Sequence, residues 1–71
     1  MTFGARLAGL IARAGISQAE LALRIGVTQG AVSRWVSDEW PPGWDNLARL
    51  ADEFGMSVSG LLSGVHVEAR D

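Results

Sequence analysis

Few residues of this chain that carry reactive or hydrogen-bonding groups are spaced to act together. His66 stands alone and there is no cysteine, so neither a histidine cluster nor a thiolate set is available to hold a metal ion, and no disulfide can form. Asp52 and Glu53 are neighbours on a helical pattern and point in different directions, as solvated carboxylates do. No paired carboxylates, nucleophile–base set or phosphate-binding glycine loop can be assembled, so no enzyme, cofactor or metal is expected. The stretch "GVTQGAVSRW", Gly26 to Trp35, is different. Gln29, Ser33 and Arg34 fall on the outer side of a short helical pattern whose other side carries Val32 and Trp35. An amide, a hydroxyl and a guanidinium side by side make a hydrogen-bonding face. Such a face suits docking against a partner better than transforming a substrate.

The elements that must position this face follow from periodicity. Phe3, Leu7, Leu10, Ile11 and Ala14 recur at three- and four-residue steps, with Thr2 to cap the start and Gly15 to end the helix. Ser17 and Glu20 read as a capping box opening a second, short helix with Leu21, Ala22 and Ile25 inward, ended by Gly26. Thr28 caps the third helix, with Val32, Trp35 and Val36 inward. "DEWPPGW" then breaks the pattern, because Pro41 and Pro42 forbid a continuing helix. A fourth helix begins near Gly43 or Trp44 and runs through Leu47, Leu50, Ala51 and Phe54 to Gly55, after which Met56 packs inward. Ser57 caps a last turn with Val58, Leu61 and Leu62, before Gly64. Trp35 and Trp44 are expected in the core, while Trp40 sits in the turn. The tail "VHVEAR" alternates apolar and polar residues, which fits a strand or an unstructured terminus equally. The expectation is an all-α bundle of five short helices over residues 1–64, with residues 65–71 as a tail.

Composition narrows the class. A chain of 71 residues buries only about 60% of its unfolded surface. The core must therefore be efficient, which 48% hydrophobic content permits. No apolar run approaches the ~20 residues of a membrane span, so no membrane is expected and the default is a soluble cytoplasmic protein. Arginine replaces lysine throughout, and alanine and glycine are abundant, pointing to a GC-rich bacterial or phage genome, in the latter case acting inside the host cell. The net charge of −2 argues against a generic polyanion binder but leaves room for a local basic face.

Two helices of about eight residues joined by a tight glycine-containing turn describe a helix-turn-helix. "SQAELALRIGVTQGAVSRW" resembles the helix-turn-helix of the lambda-repressor-like, Cro/XRE family, and "PPGWDNLARLADEFGMSVSGLL" is similar to that family's fourth and fifth helices. The resemblance spans Phe3 to Leu62, with Gln18, Leu21, Ala22, Gly26, Val27, Val32 and Trp35 at matching positions. It implies that the third helix enters the major groove of double-stranded DNA. By the resemblance, Gln29, Gly30, Ser33 and Arg34 occupy the base-reading positions, Gly30 departing from a commonly polar one. Gln18, Thr28, Asn46 and Arg24 are the implied backbone contacts. A homodimer on a palindromic operator is implied too, with Trp40, Val65 and Val67 as candidate contacts to a second subunit or another protein. Trp40 has an alternative place as a cover over the core.

Two departures stand out. The segment after the third helix usually carries glycine and basic residues, whereas here Asp38 and Glu39 lie where a phosphate backbone would run, which is expected to weaken binding and flatten its salt dependence. An arginine–glutamate pair that commonly joins the first helix to the end of the third is replaced by Ile11 and Val36, an exchange that need not cost stability. The reading that best fits is a sequence-specific transcriptional regulator, a Cro-like repressor. The acidic turn keeps a second one open, a protein-interaction module of adaptor or antitoxin-like kind on the same fold.

Overall fold

The computed structural model describes residues 1–65. Five helices follow one another: α1 (Phe3–Ala14), α2 (Gln18–Ile25), α3 (Gln29–Val36), α4 (Trp44–Glu53) and α5 (Val58–Leu61). No strand occurs among the described residues, and the alternating tail from His66 on lies outside them. Each of the expected hydroxyl caps is made. Thr2, Ser17, Thr28 and Ser57 each accept, through the side-chain oxygen, from the backbone N–H three residues on. These bonds satisfy N–H groups that a helix start otherwise leaves orphaned. The capping box is only half formed, because the Glu20 carboxylate turns to Arg24, one helical turn further along.

One apolar core holds the helices together. Leu7, Leu21, Leu50, Leu61 and Val32 are fully buried, with Leu10, Ile11, Ala22, Ile25, Trp35 and Ala51 beside them. Burying each large aliphatic side chain contributes roughly 1.5–3 kcal/mol. α2 packs on α3 and α4, α1 on α3, and α4 on α5. Ala22 is small where α2 meets its neighbours. At Gly26 the backbone turns to φ 77°, and both Gly26 and Val27 N–H groups donate to the Ala22 carbonyl oxygen. A side chain there would be strained, so glycine sets the angle between α2 and α3.

Two apolar expectations fail. Trp44 is 75% exposed instead of buried. It shares the side of Leu47 and Ala51, three and seven residues on, but as the first residue of α4 it lies ahead of Leu50 and Ala51, where that helix becomes buried. Ala14 is exposed as well, because α1 ends there, past the reach of the core.

Candidate nucleic-acid interface

α3 is anchored on one face and open on the other. Val32 and Trp35 are its buried residues, whereas Gln29, Gly30, Ser33 and Arg34 are all exposed. Positions four apart share a helix side, which pairs Gln29 with Ser33 and Gly30 with Arg34, and the two pairs lie next to each other on the side of α3 away from Val32 and Trp35, from the first turn on. The four expected reading residues are therefore brought together. At Gly30 an added Cβ would meet nothing nearer than the Thr28 hydroxyl at 3.8 Å, so the fold does not require glycine there. What glycine provides is a low profile beside Gln29.

The four candidate backbone contacts separate in two groups. Gln18 opens α2, half-buried behind the Ser17 cap, and Thr28 is exposed at the start of α3. The Thr28 hydroxyl oxygen already accepts from Ala31 N–H at 3.1 Å, which leaves its O–H free to donate. Asn46 is half-buried in the first turn of α4, whose N-cap, Gly43, offers no side chain. Asn46 and Arg34 line a common cleft of about 250 Å³, together with Trp35, Trp40, Pro41 and Pro42. The cleft joins the polar face of α3 to the start of α4. Arg24 differs from these three, because it donates to Glu20 at 3.0 Å and to Glu53 at 3.1 Å. The hydrogen bond to Glu20 first, then that to Glu53, holds its guanidinium above the ordinary arginine pKa. This ion-pair triangle links α2 to α4.

The remaining cations sharpen the electrostatics. Arg6 donates from Nε to the Leu61 carbonyl oxygen at 3.1 Å and from Nη2 to that of Gly60 at 2.9 Å. Arg49 reaches the Ile25 carbonyl oxygen at 3.5 Å. Arg13 and Arg34 are the arginines whose guanidinium groups have no hydrogen-bond or ion-pair partner among the described residues. One of those two lies on the open face of α3.

The acidic turn has a different character from that expected. Asp38 Oδ1 accepts from the Gly4 N–H at 2.9 Å, so its carboxylate sits on the N-terminus of α1, where the helix dipole favours negative charge. Glu39 remains exposed. Sequence reasoning missed this contact and the docking of Arg6 on α5. Asp38 had a signal, since no glycine follows α3 and aspartate tolerates the left-handed backbone better than most residues. Arg6 had none, because a surface arginine reads alike whether solvated or bound. Trp40 is 66% exposed and so does not cover the core. Val65 is half-buried and donates its N–H to the Leu62 carbonyl oxygen, while Val67 lies outside the described residues.

A helix-turn-helix family model matches residues 8–61. The P22 c2 repressor in complex with a synthetic operator is similar to the chain, with 31% identity over 90% of this chain and 97% of that one, and a TM-score of 0.83. The solution structure of the DNA-binding domain of the same repressor gives 28% identity over 99% and 92% of the two chains, and a TM-score of 0.84. ComR from S. thermophilus, solved with DNA and its signalling peptide ComS, gives 25% identity and a TM-score of 0.78 over 99% of this chain but 24% of that one. No curated protein matches in sequence. The chain belongs to the helix-turn-helix family, of Cro/C1 type. That family and fold are those of DNA-binding transcription regulators, not of enzymes.

Proposed function

We propose that this protein is a Cro-like repressor that binds a palindromic operator as a homodimer, with α3 of each subunit in the major groove. The observation that carries the proposal is the division of α3: Val32 and Trp35 hold it in the core while Gln29, Gly30, Ser33 and Arg34 stay exposed together. Gln29 offers an amide suited to the N6 and N7 edge of adenine, and Arg34 a fork suited to O6 and N7 of guanine. Ser33 bonds a base or a phosphate, and Gly30 lets the backbone approach closely. Gln18, Thr28 and Asn46 fix the register on the phosphates, contacts that carry no sequence information. Arg24 is the weakest of the backbone candidates, since a phosphate would have to displace two carboxylates. The P22 c2 repressor was solved in complex with a synthetic operator, which supports operator DNA as the partner here.

A domain of this size reads few base pairs. Two copies on half-sites about one helical turn apart would double the readout. Trp40, with Val65 and Val67 from the tail, is the proposed contact between subunits. Bound over a promoter, the dimer excludes polymerase.

Selection from a pool of random duplexes, read by fluorescence anisotropy across a salt series, tests the proposal. A palindrome should be enriched, and the enrichment should vanish for Gln29→Ala and Arg34→Ala. A second reading, a protein-interaction module, draws on the exposure of Trp40 and Trp44. Absence of enrichment at low salt, with capture of a defined protein, would decide for it.

A further inference from the structure

The chain turns away from α1, α2, α4 and α5 through a glycine of positive φ: Gly15, Gly26, Gly55 and Gly64. After α3 that place is taken by Asp38 at φ 62°, and among the described residues it is the one non-glycine with positive φ. The backbone around it closes α3 in the usual left-handed way. Asp38 N–H donates to the Trp35 carbonyl oxygen at 3.2 Å, and Glu39 N–H to that of Arg34 at 3.0 Å. Glycine would make this turn with less strain. A side chain at a position that favours none needs a reason, and the structure holds one. Asp38 Oδ1 accepts from Gly4 N–H across 34 residues of sequence.

Gly4 completes the joint. It is buried, and a Cβ added there would run into the Val36 carbonyl oxygen and come within 2.7 Å of Asp38 Oδ2. The backbone of α1 therefore lies directly on the backbone at the end of α3. The Gly4 N–H is one of the orphan donors of a helix start, and Thr2 serves a different one, that of Ala5. At its other end α3 is set by the turn at Gly26, and in the middle by Val32 and Trp35. At the C-terminal end, where the half-buried Val36 and the Gly4 backbone meet, Asp38 adds the polar tie.

We propose that Asp38 is a positioning residue for the DNA-reading helix, holding the end of α3 on the N-terminus of α1, and that its charge is not a brake on DNA binding. This rests on the DNA-binding reading given above. Its consequence for the turn is a division of labour. Asp38 is exposed but tied through Oδ1 to α1, whereas the exposed Glu39 carboxylate is the one able to swing toward a phosphate backbone.

The test compares two neutral replacements. Asp38→Asn keeps a side-chain oxygen acceptor and tolerates the left-handed backbone, whereas Asp38→Gly keeps the turn and loses the acceptor. Both are assayed beside the wild-type chain against the duplex it selects and a scrambled duplex, across a salt series, at a temperature where melting curves show all three folded. Asp38→Asn should preserve the selected-to-scrambled affinity ratio within about twofold. Asp38→Gly should lose about five- to tenfold of that ratio, the worth of one hydrogen bond, with the same salt slope as Asp38→Asn. Equal selectivity in the two variants, or a joint gain in affinity, overturns the proposal and makes the charge a brake.

A wild-type chain that selects no duplex at low salt sinks the DNA-binding reading itself. Backbone amide chemical shifts then decide the joint alone. Asp38→Gly, but not Asp38→Asn, should move Gly4 and Val32 to Ser37, and unmoved signals overturn the positioning role.

Discussion

Replacing Arg34 by alanine separates base reading from simple charge attraction. The side chain is exposed, and its guanidinium has no hydrogen-bond or ion-pair partner among the described residues. Removing it should therefore change the stability of the free protein by no more than about 0.5 kcal/mol. The loss on DNA is then free of folding effects. A guanidinium paired in two-pronged fashion with a guanine contributes about 1–3 kcal/mol of discrimination, so the selected duplex should bind roughly 5- to 150-fold more weakly while a scrambled duplex changes little. The salt slope on the selected duplex should stay the same. Anisotropy titrations of both duplexes at four or five salt concentrations give every quantity needed. An equal loss on both duplexes, with the slope falling by about 0.9, would make Arg34 a phosphate contact and refute the base-reading role. No loss on either would put α3 outside the interface.

Arg6 should matter to stability instead. α5 has four residues, too few to stand alone, and its last carbonyls are held by the Arg6 guanidinium. Arg6→Ala should cost about 2 kcal/mol and lower Tm by roughly 10 °C, as thermal denaturation followed by circular dichroism would show. Two glycines of α1 should respond in opposite ways. Gly9 faces open space, so Gly9→Ala should raise Tm by about 2–6 °C through helix propensity, whereas Gly4→Ala should lower it by forcing α1 off the end of α3. If Trp40 serves the contact between subunits, Trp40→Ser should leave the circular dichroism spectrum intact and shift sedimentation toward the monomer. An unshifted dimer would move the interface elsewhere.

Local chemistry can be read along the chain. Thr2, Ser17, Thr28 and Ser57 mark helix starts because a hydroxyl three residues before a free N–H is a short-range contact, complete within one turn. Gly15, Gly26 and Gly55 mark ends because a left-handed residue is a local demand as well. The apolar periods then chose which face of each helix turned inward, and so left Gln29, Gly30, Ser33 and Arg34 outside. Tertiary structure decided what depends on distant partners. Trp44 lies on a helix the sequence located correctly, but only the placement of α4 against α2 and α5 shows that nothing covers it. Arg24 and Arg34 look alike in sequence, yet one meets Glu53 from another helix and the other meets no charge among the described residues. Asp38 reads as a surface carboxylate until Gly4, far away in the chain, brings it an N–H to accept from. Burial at a helix end and the pairing of a charge are set by whichever residues the fold carries there, and no window along the chain contains them.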